Sequence, residues 1–297
     1  MSDLEKAGEI ATEVLKNSKK QIKEGSSLRE ICDKVEEDIL NLGGEVAFPC
    51  SLAVNDCAAH YAPLFDDESI VPKNSIVKLD IGVHINGAIC DCATTINFNP
   101  ELKNLEKASF QSLKSVVETI KEGVTLSEVG KTIEETMYSH DCKPIYNLSG
   151  HSLGPYIVHS GINIPNYDNK SDFKLLENHV FAIEPFSTNG DGYVFEKGKS
   201  GIFSLNEIKS SRNPLAKKLI KEIYTERKTL PFAERWLHKK ESSKLKLNSA
   251  LLDLIRNNII TSYPPLYERT GGMVSQHECT IIVEKNGCRV IGGELYE

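Results

Sequence analysis

The sequence lacks several features that would assign it to common classes of protein. Its eight cysteines include no Cys-x-x-Cys pair, which disfavours a cysteine zinc site. No run approaches the roughly 18 apolar residues of a membrane-spanning helix, and the polar start at Met1-Ser2-Asp3-Leu4 contains no apolar signal segment. We therefore expect no membrane association, a cytoplasmic location and reduced thiols.

Excess positive charge is also missing. Lysine and arginine total 35 against 42 acidic residues, a net charge of −7, which argues against general affinity for nucleic acid. The basic stretch at 239–246 is better read as a solvated helical face. With 40% hydrophobic residues in 297, the chain can bury a large core. We expect one domain covering 1–297.

The apolar periodicity predicts helices in the first half of the chain. Residues from about 4 to 43 are typical of two amphipathic helices, and Ser27 followed by Glu30 predicts a capped start for the second. Two more helices are predicted from about 102 to 121 and from 126 to 138. The runs between these helices are rich in residues that favour strands.

Four acids and one histidine lie inside or beside apolar, strand-like runs. Buried carboxylates are rare without a partner, so acids spread over two hundred residues predict one shared counter-charge. A pair of divalent cations would supply it, and this pattern indicates a two-metal hydrolase. The predicted ligands are Asp80, Asp91, His151, Glu184 and Glu278.

The first two acids flank a predicted hairpin. Residues 75–85 and 88–96 are strand-like and are separated by Asn86-Gly87, a strong signal for a two-residue turn. This turn would pair Gly82 with Asp91 and would make Asp80 and Asp91 diagonal neighbours on one face, roughly 7 to 8 Å apart. Both could then reach a common ion. The cysteines at 90 and 92 alternate with Asp91 and should point to the opposite face as small core residues.

The other predicted ligands occupy loops and strand boundaries. His151 lies in a glycine-flanked loop, and neutral imidazole is a common ligand of such metals. His159 follows eight residues later, although the sequence does not determine whether it faces the same side. Glu184 closes the apolar run 179–183 before Pro185, and Glu278 opens the strand-like run 279–283. At a strand boundary a carboxylate can point into a cleft.

These residues, with three further motifs, resemble the type II methionine aminopeptidases over nearly the whole chain. The motifs are residues 55–61 with His60, the Gly-His-Ser-Leu-Gly segment at 150–154 running to His159, and Tyr-Pro-Pro-Leu at 263–266. The resemblance implies the α/β pita-bread fold, in which two related halves form a curved antiparallel sheet with helices outside. We detect no convincing repeat in the sequence itself.

The resemblance also implies roles for the predicted ligands. Asp80 would bind one ion, Asp91 and Glu278 would bridge two, and His151 and Glu184 would complete the second. Mn²⁺, Fe²⁺ and Co²⁺ suit this oxygen-rich set, with Zn²⁺ as an alternative. Two such ions can activate a water to attack the first peptide bond, and Glu184 would also accept and deliver the proton.

Further residues match the substrate site of the family. His159 would donate a hydrogen bond to the substrate carbonyl, and His60 would position the peptide. Phe48, Val158 and Tyr263 would line the methionine pocket, with core packing as the alternative for Phe48 and Val158. Ile202 stands where eukaryotic members are expected to carry a histidine.

A helical segment at about 210–262 supports the type II assignment. It interrupts the strand pattern, contains the only tryptophan and has no predicted ligand. The family resemblance places a helical insert here in type II and none in type I. The expected activity is removal of N-terminal methionine from nascent proteins and peptides, with a preference for a small second residue.

Two alternatives remain open on the sequence. A proline-specific aminopeptidase or dipeptidase would share the fold and the ligands, and a non-catalytic binding protein could use the same fold. The expected partner is a peptide or nascent-chain N-terminus, bound by a monomer, and the sequence leaves a ribosome contact open. Neither the native metal nor the oligomeric state follows from the sequence.

Overall fold

The computed structural model describes residues 1–293 and Leu295, and its strands pair antiparallel throughout. The helices are α1 (Asp3–Gln21), α2 (Leu28–Asn41), α3 (Lys103–Thr119), α4 (Leu126–Ser139), α5 (Pro214–Arg227), α6 (Glu234–Leu237) and α7 (Lys244–Arg256), with a 3₁₀ turn at Pro100–Leu102. The first nine strands are β1 (Glu45–Val54), β2 (Cys57–Ala59), β3 (Ile76–Ile85), β4 (Ala88–Asn97), β5 (Lys143–Pro144), β6 (Ser149–Ser152), β7 (Asn163–Pro165), β8 (Val180–Ile183) and β9 (Phe186–Thr188). The remaining strands are β10 (Val194–Glu196), β11 (Ile202–Leu205), β12 (Phe232–Ala233), β13 (Ile260–Tyr263), β14 (Leu266–Glu268), β15 (Val274–Gln276), β16 (Cys279–Glu284) and β17 (Gly287–Gly292).

The four predicted helices of the first half are confirmed. The Ser27 hydroxyl caps α2 by accepting a hydrogen bond from the Glu30 backbone N–H, as the sequence predicts. A full capping box starts α4, because Thr125 accepts from the Glu128 N–H while the Glu128 carboxylate accepts from the Thr125 N–H. These caps satisfy backbone donors that the first turn of a helix leaves unpaired.

The hairpin of β3 and β4 has the predicted register. Gly82 lies opposite Asp91 and Asp80 lies opposite Ala93. The turn residues Asn86 and Gly87 have φ values of 49° and 88°, the left-handed conformation that a two-residue hairpin turn requires. Local turn chemistry therefore places the two aspartates on one face of the sheet.

Two helix-on-sheet layers form the body of the molecule. In the first, α1 and α2 pack on the sheet β1-β3-β4, and a buried core that includes Leu15, Ile39 and Leu79 fills the space between them. In the second, α3 and α4 pack near the sheet β17-β16-β8-β6-β7 over a core that includes Ile133 and Phe181. The predicted architecture of outer helices on antiparallel sheets is confirmed.

A short contact between strands of the two layers joins them at the centre. Ala93 on β4 forms an isolated antiparallel bridge with Glu278, and the Thr280 hydroxyl donates to the Asp91 carbonyl over 2.8 Å. Residues far apart in sequence are therefore held side by side. Both cysteines that flank Asp91 are fully buried in the apolar core, as predicted.

The segment predicted to be a helical insert contains α5, α6 and α7 and has its own apolar core, which includes Leu219, Phe232 and Leu254. It also contributes β12 and β13, which flank β11 in a three-stranded sheet, so it is less purely helical than the sequence indicates.

None of the helices in the described part of the chain combines the length and the apolar composition that a membrane-spanning segment needs.

Candidate active site

One cavity of about 220 Å³ is lined by all the residues that the sequence predicts for the metal and substrate sites. It is enclosed by strands of both layers and by the segment around 231. The predicted residues in its lining are Phe48, His60, Asp80, Asp91, His151, Val158, His159, Glu184, Tyr263 and Glu278. Ile202, at the position where a histidine is expected in eukaryotic members, also lines it.

Strand pairing brings the five predicted ligands to this cavity. The hairpin supplies two aspartates, and the pairing of β6 with β8 sets His151 opposite Ala182, two residues before Glu184. The His151 Nε2 lies 3.5 Å from the Glu184 Oε1 and 3.6 Å from the Asp91 Oδ2. Ligand atoms of Asp91, His151 and Glu278 lie within 4.8 Å of one another, a spacing at which one ion could contact all three.

The four carboxylates repel one another in a buried setting. Burial raises the pKa of Asp80 to about 7, although an interaction with the Gln276 side chain lowers this pKa in part. Burial raises the pKa of Asp91 well above its ordinary value, and the charges of Asp80 and Glu184 add to the effect. The pKa values of Glu184 and Glu278 are raised for the same reasons, burial first. Positive charge placed in this cavity would favour the charged form of all four carboxylates.

The site fits divalent cations. Among the described residues, no lysine or arginine forms an ion pair with any of the four carboxylates, and the buried Oδ1 of Asp80 has no hydrogen-bond partner. Burial lowers the pKa of His151 to about 3, with the nearby His159 as a further cause, so its imidazole is neutral and can bind a metal. Carboxylate oxygens with one imidazole suit Mn²⁺, Fe²⁺ or Co²⁺.

The structure resolves the orientation of the second histidine, which the sequence left open. The His159 ring lies 4.3 Å from the His151 ring, centroid to centroid, at the cavity wall. Burial lowers the pKa of His159, which keeps the imidazole neutral and therefore able to donate one ring N–H.

His60 enters the cavity from a strained backbone position. Its φ is +63°, which is uncommon for a residue other than glycine and is often associated with functional sites. The imidazole hydrogen-bonds the Pro264 carbonyl and packs edge-on against Tyr263 at 5.9 Å. Burial lowers its pKa to about 4, and His159 contributes, so this ring is also neutral.

Apolar side chains form the rest of the wall. The Phe48 ring covers Gly82, where an added Cβ would lie 2.2 Å from the Phe48 Cε1. Tyr263 lies opposite Ile202 in the pairing of β13 with β11, and its hydroxyl is 3.0 Å from the Ser204 Oγ. Phe48 and Val158 pack in one apolar cluster at this wall, so they serve the core and the cavity together.

Several residues at the site were not predicted from the sequence. Ser51 lies directly opposite Asp80 and lines the cavity, but a bulge between Phe48 and Ser51 removes the alternation that would have revealed it. Pro231 reaches the cavity from the insert, and no local pattern marks it. Gln276 hydrogen-bonds Glu278 from two residues away, a spacing that could have been noticed.

Known proteins resemble this chain over nearly its whole length. The profile of metallopeptidase family M24 matches residues 2–208. A methionine aminopeptidase of Thermococcus onnurineus is 42% identical over 287 residues, covering 96% of this chain and 97% of the relative. One from Methanocaldococcus jannaschii is 40% identical over 284 residues, with 96% and 95% coverage.

Solved structures share the fold at low sequence identity. A thermophilic Arx1 superposes with a TM-score of 0.86 at 16% identity, covering 99% of this chain and 91% of that one. Methionine aminopeptidase from Thermotoga maritima gives a TM-score of 0.72 at 21% identity, with 98% and 96% coverage. An X-Pro aminopeptidase from the same species reaches 0.61 at 15% identity, and only 60% of that longer chain is covered.

The structural neighbours share the pita-bread architecture described above, and the match to family M24 implies bound divalent metal. Full-length similarity near 40% identity goes beyond shared fold. The chain therefore belongs to metallopeptidase family M24 and, within that family, to the methionine aminopeptidases.

Proposed function

We propose that this chain is a type II methionine aminopeptidase whose active site holds two divalent metal ions. The observation that supports this most strongly is the convergence of four carboxylates and one imidazole, from strands of both layers, on one buried cavity. Their raised carboxyl pKa values leave a need for positive charge that two cations would meet. The described insert with α5 to α7 agrees with the type II pattern.

We assign the ligands by position. Asp80 would hold one ion, Asp91 and Glu278 would be shared by both, and His151 with Glu184 would hold the second. When bound, two such ions lower the pKa of a shared water and stabilise charge on the tetrahedral intermediate. Mn²⁺, Fe²⁺ and Co²⁺ are the best candidates for this donor set, with Zn²⁺ as an alternative.

The protein's own side chains handle the proton and the substrate. Glu184, 3.5 Å from the His151 Nε2, accepts the proton of the attacking water and passes it towards the leaving amine. Neutral His159 donates a hydrogen bond to the oxygen of the scissile carbonyl, where negative charge develops. His60, held by the Pro264 carbonyl, orients the peptide beside it.

The methionine side chain lies against the apolar wall. Phe48, Val158 and Tyr263 line the cavity, and a flexible thioether packs well against such aromatic and branched surfaces. We also propose a preference for a small second residue, as the family resemblance implies.

We also propose the organisation of the whole chain. Residues 1–297 form a single catalytic domain with the type II insert at about 210–262, and the enzyme acts as a cytoplasmic monomer on peptide and nascent-chain N-termini. Docking on the ribosome would place it at such N-termini as they emerge. Sedimentation of the purified protein alone and with ribosomes would test these two expectations.

A paired peptide and metal experiment tests the function. Protein purified anaerobically is analysed for metal and assayed on Met-Ala-Ser and on an X-Pro peptide. We expect two ions per chain and release of methionine from Met-Ala-Ser only. Cleavage of the X-Pro peptide in preference would favour the proline-specific alternative, and cleavage of neither peptide with metal bound would favour a non-catalytic role.

The bridging role of Asp91 has its own test. Asp91→Asn keeps the size of the side chain but removes its charge, so we expect loss of at least one ion by metal analysis and loss of methionine release. The exposed Glu196, on β10, offers a matched control as Glu196→Gln. Retention of two ions and the full rate by Asp91→Asn would contradict the assignment.

A further inference from the structure

Gln276 is a buried side chain beside the ligand cluster that the reaction scheme above does not use. It ends β15, two residues before Glu278, and is 1% exposed. Its backbone is anchored on Thr95 of β4: the Thr95 hydroxyl donates to the Gln276 carbonyl over 2.7 Å, and the Gln276 N–H donates to the same hydroxyl oxygen over 3.0 Å. The position of this residue is therefore set by the hairpin that carries two ligands.

The carboxamide acts on two proposed ligands. Its Nε2 donates to the Glu278 Oε2 over 3.2 Å, and the same amide favours the charged form of the Asp80 carboxylate by lowering its pKa. These two acids approach the cavity from different layers of the fold, one from β3 and one from the start of β16. One amide group therefore ties the two layers together at the ligand cluster.

An amide suits this position for an electrostatic reason. The Glu278 and Asp80 carboxylates line the same cavity, where like charges repel each other. An NH₂ group offers two donors without a formal charge. It can therefore hold both carboxylates in place, whereas a lysine would neutralise one and compete with a cation.

The amide has spare acceptor capacity on its other side. Its Oε1 is buried and has no hydrogen-bond partner among the described residues. The reverse orientation of the amide would point this oxygen at the Glu278 carboxylate and would be repulsive, so the hydrogen bond to Glu278 supports the assigned orientation. The donor face of Gln276 is thus directed at the ligands.

We propose that Gln276 is a positioning residue that holds the Asp80 and Glu278 carboxylates at the separation needed to bind metal. The inference rests on the proposed function, because it concerns the same site. Removal of groups that orient metal ligands typically weakens metal binding by 10- to 100-fold. Gln276 does not line the substrate cavity, so its loss should leave peptide binding largely intact.

Calorimetric titration of the metal-free protein with Mn²⁺ alone tests the proposal. We expect Gln276→Met, which keeps the length of the side chain but removes its donors, to bind Mn²⁺ roughly 10- to 100-fold more weakly than the wild type. Gln111→Met makes the same chemical change at an exposed position of α3 and should titrate like the wild type. At saturating Mn²⁺, Gln276→Met should show a lower kcat with little change in KM.

A second variant keeps the test decisive if Gln276→Met does not fold. Gln276→Asn retains a neutral amide that is one methylene shorter and cannot reach both carboxylates, so we again expect weaker Mn²⁺ binding. Wild-type Mn²⁺ affinity in a folded variant at this position would overturn the inference while leaving the proposed function intact. A wild-type protein that binds no Mn²⁺ would instead overturn the metal centre and this inference with it.

Discussion

At the scale of single residues, the cavity wall formed by Phe48 depends on a glycine, Gly82, that has no side chain. Gly82 lies opposite Phe48 across the pairing of β1 with β3. The Phe48 ring occupies the space where any other residue would place its Cβ. Glycine is therefore required here by close packing of an aromatic ring and not by backbone conformation, since the φ of Gly82 is not positive.

Gly82→Ala should deform this pocket. The new methyl group would meet the Phe48 ring at 2.2 Å, so the ring must move, and overpacking of this kind typically costs about 1–3 kcal/mol. We expect a raised KM for methionyl peptides, measured by steady-state kinetics. Gly287→Ala adds the same methyl group where nothing lies within 4 Å and should leave the kinetics unchanged; an equal KM in both variants would show that Phe48 does not shape the pocket.

His159→Ala isolates a role in turnover from a role in metal binding. The imidazole is buried beside His151, but His159 is not one of the five proposed metal ligands. Loss of a donor to a developing oxyanion costs about 2.7–4 kcal/mol in comparable sites, so we expect kcat to fall by two to three orders of magnitude. Metal content, measured on the same samples, should stay near the wild-type level, and an unchanged kcat would remove His159 from the mechanism.

At the scale of elements, the insert and strand β1 build the cavity wall together. The Arg227 guanidinium, at the end of α5, donates from Nη2 to the Ala47 carbonyl over 3.0 Å and to the Pro231 carbonyl over 2.8 Å. Pro231 lines the cavity, and Ala47 precedes Phe48. Burial lowers the pKa of Arg227 to about 10, which still leaves it charged at neutral pH.

Arg227→Met should loosen this wall. The change leaves two carbonyls without donors, a loss of about 1–3 kcal/mol for each buried group that stays unsatisfied. We expect a lower free energy of unfolding in urea and a higher KM for methionyl peptides. Arg256→Met, at the exposed end of α7, makes the same substitution away from the cavity; if both variants behave alike, the contact between Arg227 and β1 is not what holds the wall.

At the scale of the whole molecule, a single carboxylate organises the loops between β9, β10, β14 and β15. Glu268 accepts hydrogen bonds from the backbone N–H groups of Asp191, Gly192, Thr270 and Gly272, and one from the Thr270 hydroxyl. Burial raises the pKa of Glu268, but these hydrogen bonds outweigh it and lower the pKa to about 2. The charged carboxylate is therefore the form that the fold requires.

This predicts a pH-dependent contribution to stability. The ordinary pKa of the group is 4.5, so between pH 4.5 and 2 the unfolded chain binds a proton that the folded chain does not. The stabilisation is complete above pH 4.5 and is lost as the pH falls through 2. Glu268→Gln should lower the free energy of urea unfolding by about 2 kcal/mol at pH 7, with a smaller difference from the wild type at pH 3. A difference that is constant with pH would contradict the role of the charge.

Short-range physics made part of this site predictable from residues alone. An Asn-Gly turn and strict alternation along two strands determine which residues of β3 and β4 face each other, and the observed register agrees. Capping of α2 by Ser27 was equally local. The proposed ligands, which the structure brings to one cavity, could be selected because a charged group inside an apolar run is costly to bury without a partner. The family resemblance implied their roles.

Only the tertiary structure decided which distant strands meet. Asp91 and Thr280 are 189 residues apart in sequence, and their contact sets Glu278 beside the hairpin. The orientation of His159, the reach of Arg227 to β1 and the anchoring of Gln276 on Thr95 depend on such pairings. The sequence by itself determined the local geometry and the chemical types of the residues at the site. Long-range packing decided which of these residues become neighbours, because no local pattern encodes which surfaces come into contact.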